Sequence, residues 1–243
     1  MKVAVVTGAA GAIGSAVCAL LSREGYKVAA LDLASPATLP EHTRFYACDV
    51  ASRIAVRDTV EEIEEHMGPI TALVNVAGVL SCGRGLDLKV SEFERVMRVN
   101  VLGTLVPCQL IGQRMAERKH GSIVNMGSVV GKNGGNARPW LDPAEQASAA
   151  GVAYGMSKSA VHTLTVFLAK ELARSGVRVN AVAPGPIATE MTVTFAQHLR
   201  ELIPLGRMGR AEEVAAAVSF MLSDKAGFIS GEILDINGAL WCD

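Results

Sequence analysis

Aromatic residues are scarce in this chain: Phe, Trp and Tyr together make up 5% of 243 residues. Neither sign of charge is in excess, since 23 Lys and Arg stand against 24 Asp and Glu for a net charge of −1. That balance leaves no electrostatic footprint for nucleic acid or for an anionic membrane. No apolar run is long enough to cross a bilayer. Met1 to Val6 enters an apolar strand at once and Thr7-Gly8 then breaks it, which leaves no room for a signal peptide. The five cysteines (Cys18, Cys48, Cys82, Cys108 and Cys242) are odd in number, scattered and without a Cys-x-x-Cys pair. They read as reduced thiols of a cytoplasmic protein, mostly small core residues. The five histidines (His42, His66, His120, His162 and His198) have no metal-ligand spacing, so no metal is expected and each reads as structural or solvated.

What is present is a large apolar fraction, 50% of residues against 19% charged, rich in Ala, Val, Leu and Gly. Such a chain can bury a sizeable core, and the mixture suits parallel strands packed closely under helices. Short β-branched runs at 2–6, 27–31, 43–47, 70–75, 121–126, 178–182 and 232–236 predict strands. Longer amphipathic stretches at 12–24, 52–67, 91–98, 101–119, 152–174 and 211–222 predict helices, the second ended by Gly68-Pro69. Strand-helix alternation implies right-handed crossovers with helices on both faces. No linker, composition shift or repeat divides residues 1–243. The expected fold is a single α/β domain, a Rossmann-type doubly wound sheet of seven parallel strands. Its cofactor half would be about 1–100 and its catalytic half about 100–243.

Between the first strand and first helix lies Thr7-Gly8-Ala9-Ala10-Gly11-Ala12-Ile13-Gly14. Small residues there let backbone approach a pyrophosphate, which the N–H groups and dipole of the helix start stabilise. Asp32 ends the second strand 18 residues after Gly14 (32 − 14 = 18). A carboxylate at that place accepts from ribose hydroxyls and repels a 2′-phosphate, and neither Gly11 nor Leu33 supplies a compensating cation. NAD is expected over NADP; a turn-forming role before Ser35-Pro36 is the other reading of Asp32.

Tyr154 and Lys158 are four residues apart in a helical pattern, on one face about 40° apart around the axis. A phenol titrates near about 10. A fixed ammonium beside it favours the phenolate, so the spacing predicts a lowered Tyr154 pKa and a proton-transfer role. A packed aromatic and a snorkelling stem are the alternative.

With these motifs in order, the chain resembles the short-chain dehydrogenase/reductase family over essentially its whole length. Thr7, Gly8 and Gly14 match the family's Thr-Gly-x-x-x-Gly-x-Gly, with Ala12 in place of the middle glycine. Asp49-Val50 resembles the pair beside the adenine. Asn75-Val76-Ala77-Gly78 resembles Asn-Asn-Ala-Gly, which supports the sheet and touches the adenosine. Pro184-Gly185-Pro186-Ile187-Ala188-Thr189 resembles the segment whose Ile backbone and Thr hydroxyl hold the carboxamide. The resemblance implies a catalytic tetrad of Asn100, Ser128, Tyr154 and Lys158. Ser128 would steady charge on the reacting oxygen, Lys158 would also bind the nicotinamide ribose, and the Asn100 side group would order a water beside Lys158. It also implies a homotetramer built through 101–119, 152–174 and 231–243.

Ser128 and Tyr154 are 26 positions apart (154 − 128 = 26), roughly twice the family's usual gap. The Gly- and Pro-containing stretch from Lys132 to Pro143 predicts a shaped loop. It either edges the active-site mouth, with Trp140 as an apolar wall and Arg138 as an anion contact, or lies at the surface or between subunits. The segment 190–202 carries Met191, Val193, Phe195, Leu199 and Leu202 at helical spacing, resembling the family's substrate lid. Val79, Leu80 and Val130 would line the same crevice. A mostly apolar secondary alcohol or ketone is the expected substrate and small-molecule partner, acted on by an NAD-dependent alcohol dehydrogenase or ketoreductase. Within the family, a 3-oxoacyl thioester reductase or hydroxysteroid dehydrogenase would use the same residues. Arg84, Lys132 and Arg138 are too few for a carrier-protein docking surface. Outside that class, a non-catalytic dinucleotide sensor would keep the fold and lose Tyr154 or Lys158 first.

Overall fold

The computed structural model of the protein describes residues 1–135, 143–189 and 200–242. β1 (Val3–Thr7) is buried at every position, as a strand covered on both faces must be. β2 (Lys27–Asp32), β3 (Thr43–Ala47), β4 (Ile70–Asn75), β5 (Gly121–Met126), β6 (Val177–Pro184) and β7 (Ile233–Ile236) join it in a seven-stranded sheet of order β3-β2-β1-β4-β5-β6-β7. Every pairing is parallel. The registers Thr7↔Asn75 and Asn75↔Asn125 align the carboxyl ends of the three central strands. Strand order reverses between β1 and β4, so a crevice opens there, where open α/β sheets bind ligands.

The period of two along each strand assigns side chains to two cores. Ala4, Val6, Val28, Val74, Val124 and Val182 face α1 (Ala12–Arg23) and the helix Ala211–Leu222, burying Val17, Leu21, Val214, Val218 and Met221. Val3, Val5, Leu31, Leu73, Ile123 and Val179 face α2 (Arg53–Met67), α4 (Gly103–Glu117) and α7 (Val152–Leu172). Each fully buried aliphatic side chain contributes about 1.5–3 kcal/mol. α3 (Val90–Met97), α5 (Val130–Asn133), α6 (Pro143–Ser148) and α8, the helix Ala211–Leu222, complete the described helices.

Three local differences from the sequence reading bear on the site. The helices expected at 91–98 and 101–119 are continuous through a π-helical turn, Arg98–Leu102, which carries Asn100. The widened turn is held where the Asn100 side chain bonds outside its own helix, described below. β6 runs to Pro184 instead of ending at Val182, because Ala183 and Pro184 still pair with Asp235 and Ile236 of β7. The long stretch after Ser128 is partly helical: α5 stops at Gly134, whose φ of +73° suits a helix end, and α6 begins on Pro143.

Candidate active site

The first turn is built from close backbone approach. Gly8 has φ +65°, and a Cβ on it would lie 2.6 Å from the Ala77 amide nitrogen. Buried Thr7 accepts from the Val76 and Ala77 amides at 3.0 and 3.2 Å, locking the ends of β1 and β4 together. α1 then starts at Gly11 with no side-chain cap and no acidic residue in its first turn. Its amino end therefore presents main-chain N–H groups and the positive end of the dipole. The carboxylate of Asp32 is oriented by two amides, Ala10 at 2.9 Å and Leu33 at 2.7 Å. Leu33 beside it is largely exposed and Gly11 is exposed, so neither neighbour shields that carboxylate. An uncapped helix start and an aimed carboxylate at one crevice suit a dinucleotide, and Ala12, exposed at the helix start, adds only a methyl group.

Asp49 accepts from Ala51 N at 2.9 Å and pairs with Arg98 at 2.8 Å; the arginine is a neighbour that the sequence motif did not announce. Val50 is buried and packs where Gly103 has no side chain. Asn75 is buried, and its Nδ2 donates to Asn125 Oδ1 at 2.9 Å and to Cys108 Sγ at 3.3 Å. Its side chain thus braces the sheet, the supporting part expected of this segment. Ala77 and Gly78 stay at the crevice, Gly78 exposed and facing Asn100 Oδ1 and Lys158 Nζ.

α7 lays a polar stripe against the end of β5. Thr165 Oγ1 accepts from Asn125 Nδ2 at 3.0 Å, Lys158 Nζ donates to the Met126 carbonyl at 2.8 Å, and His162 Nε2 accepts from the Ser128 amide at 3.3 Å. Tyr154 continues the stripe, its ring centre 5.6 Å from Lys158 Nζ. Ser128 Oγ accepts from Val130 N at 3.3 Å and reaches the Pro184 carbonyl only at 3.5 Å. The long Pro184 contact leaves the hydroxyl proton of Ser128 directed mainly toward the Tyr154 oxygen. Asn100 is fully buried; its Nδ2 donates to Val79 O at 3.0 Å and Ser157 Oγ at 2.9 Å, while Oδ1 accepts from Val79 N at 2.7 Å. Both amide protons are committed, so this side group braces the floor beneath Lys158 and has no donor left for a water.

Burial raises the Tyr154 phenol above its ordinary value, and a hydrogen bond from Ser128 only partly opposes it. The lowered value expected from the Tyr-Lys spacing is corrected: desolvation outweighs the Ser128 hydrogen bond here. Burial also brings Lys158 down to about 8 and His162 to about 4, the latter helped by Lys132 and Lys158. At neutral pH the phenol is therefore protonated, Lys158 mostly charged and His162 neutral.

The Pro184–Thr189 segment is anchored along the same crevice. Gly185 N donates to Ile236 O at 2.9 Å, Ala188 N to Gly209 O at 2.8 Å, and Ile187 is buried. Val130 packs over Gly155, one residue beyond Tyr154. The loop after β4 meets the extra stretch before α7: Gly83 N donates to Ala149 O at 3.2 Å and Gly151 N to Ser81 O at 2.6 Å. Lys132 pairs with Asp235 at 2.9 Å and bonds Ile233 O, which ties α5 to β7. Arg138, Trp140, Met191, Val193, Phe195 and Leu199 lie outside the described residues.

A family description, enoyl-(acyl carrier protein) reductase, matches residues 8–240. The human 3-oxoacyl-[acyl-carrier-protein] reductase is 35% identical over 246 residues, 98% of each chain. The D-threitol dehydrogenase of Mycolicibacterium smegmatis is 36% identical over 251 residues, covering 98% of this chain and 92% of its own. The ligand-free aldohexose dehydrogenase of Thermoplasma acidophilum superposes with a TM-score of 0.86 at 31% identity, over 98% of this chain and 93% of that one. The chain belongs to the short-chain dehydrogenase/reductase family, a family of oxidoreductases that use nicotinamide cofactors. Among the described residues, no helix is long and apolar enough to cross a membrane.

Proposed function

We propose that the protein is an NAD-dependent oxidoreductase interconverting a secondary alcohol and its ketone, with Tyr154 as the acid/base. The observation that carries this reading is the convergence of Tyr154, Ser128 and Lys158 on one end of β5, with Lys158 buried against the Met126 carbonyl. The coenzyme, bound along Gly8–Gly14, Asp32 and Pro184–Thr189, supplies the hydride acceptor or donor. The chain's own residues handle the proton. In reduction, the Tyr154 hydroxyl gives its proton to the substrate oxygen while the Ser128 hydroxyl donates a hydrogen bond to the same atom. Lys158 then lies beside the resulting phenolate and steadies it. In oxidation the same proton returns to Tyr154 from the alcohol.

Asp32 supports NAD over NADP, because its aimed carboxylate opposes a second phosphate there. Relatives named for 3-oxoacyl thioesters, threitol and aldohexoses give the panel to try alongside simple secondary alcohols and ketones. The test is absorbance at 340 nm with NAD and NADP in turn. Turnover of at least one alcohol with NAD preferred supports the reading; NADH binding with no turnover across the panel favours the sensor. We also propose a homotetramer. Leu102 and Phe167 are exposed along the helices at 98–117 and 152–172, and β7 is an edge strand with half-buried Ile233, Leu234 and Ile236.

A further inference from the structure

The amides around Ser128 alternate in direction. Gly127 N donates to Val182 O at 2.8 Å and Val129 N to Pro184 O at 3.0 Å, both carbonyls of β6. The Ser128 amide between them points the other way, toward α7, where His162 Nε2 receives it at 3.3 Å. Both groups are buried, Ser128 at 6% exposure and His162 at 7%, so no bulk water stands ready to replace either partner. A buried N–H left without an acceptor carries its full desolvation cost. The chain has also made room for the ring. A Cβ on Gly127 would collide with His162 Nε2, and one on Gly131 would meet the α7 main chain at Lys158 and Ser159, both 2.8 Å away, as well as Cε1 at 2.9 Å. Two glycines thus bracket Ser128 and let its loop close on α7 at the His162 ring.

We propose that His162 is a positioning residue of the active site, holding the Ser128 main chain so that its hydroxyl is presented beside Tyr154. This rests on the reading in which Ser128 serves the reacting oxygen. His162 follows Lys158 by one turn and Tyr154 by two, so one rigid helix carries the acid/base, its ammonium and the group that places the serine. Only a neutral ring with a bare Nε2 can accept the amide, which puts the remaining proton on Nδ1. Burial and the two cations facing the ring, Lys132 and Lys158, keep it in that form, holding it down to about 4.

The experiment compares His162→Leu, His162→Gln and His162→Asn with Ser128→Ala. Glutamine places its amide oxygen the same number of bonds from Cβ as Nε2; asparagine falls short. The expectation is a roughly 10- to 100-fold fall in kcat for the Leu and Asn variants, the scale of a misplaced catalytic group, with the NADH Kd little changed. Glutamine recovers most of that loss. Should His162→Leu fail to fold, the Gln and Asn pair decides the matter on its own. Equal kcat in those two, or full kcat in His162→Leu, overturns the inference. Full activity of Ser128→Ala would instead overturn the reading on which it rests. A ¹⁵N spectrum of the histidine ring showing Nδ1 protonated at pH 6 is the expected signature, and an Nε2-protonated ring contradicts it.

Discussion

Lys158 Nζ donates to the carbonyl of Met126 at 2.8 Å, so the buried ammonium is tied to the last residue of β5 rather than to the Tyr154 phenol. That bond sets the cation's position before any substrate arrives. Burial nonetheless makes the charged lysine costly, and the cost has a definite pH dependence. The folded pKa is depressed to about 8 from 10.5, so its contribution to stability is full above 10.5 and is lost as pH falls through 8. At pH 7 the penalty is about 3 kcal/mol.

Lys158→Met is therefore expected to lose activity while remaining at least as stable as the parent at pH 7. Its advantage should shrink by about 3 kcal/mol between pH 7 and 10.5, as the parent's lysine sheds its proton. Losing the bond to Met126 subtracts about 1–3 kcal/mol at both ends and leaves the trend. Chemical denaturation across that range checks it, and an advantage that grows with pH contradicts it.

The direction of the reaction should follow the phenol. Burial raises the Tyr154 pKa, so the resting site at neutral pH holds a proton donor suited to carbonyl reduction. Oxidation needs the phenolate and is expected to accelerate as pH rises above 7, while reduction slows. Initial rates in both directions across pH 6–10 test this. An oxidation rate that falls with rising pH would be incompatible with it.

Asp32 should govern coenzyme choice. Asp32→Ala removes an acceptor of charge-assisted bonds, each of about 1.5–3 kcal/mol, so kcat/KM with NAD should drop about 10- to 100-fold. Adding Leu33→Arg should then raise kcat/KM with NADP, since Leu33 is 77% exposed beside the carboxylate. An unaltered NAD to NADP ratio in the double variant would reject the assignment.

Phe167, 69% exposed on α7, is expected to be covered by a partner subunit. Light scattering should give a tetramer for the parent and smaller species for Phe167→Glu. A monomeric parent would reject the assembly.

The sheet was readable because buried parallel strands leave continuous apolar runs, and each of the seven expected strands is present. Tyr154 and Lys158 were readable because helix periodicity alone puts them on one face. What could not be read is what depends on packing. His162 sits one turn beyond Lys158, a spacing visible in the sequence, yet its partner is a main-chain amide that only the folded loop brings to it. Asn75 matched a motif whose inward-facing side chain becomes evident only beside Cys108 and Asn125. The raised Tyr154 pKa is not legible in the sequence, because spacing reports the nearby charge and says nothing of desolvation.

The most direct measurement is single-turnover hydride transfer in Tyr154→Phe, followed at 340 nm with NADH affinity measured in parallel. Removal of the phenolic hydroxyl should cut the rate by about 100-fold or more, the usual share of a positioned general acid or base, with the coenzyme still bound. A rate equal to the parent's would contradict Tyr154 as the group that exchanges the proton.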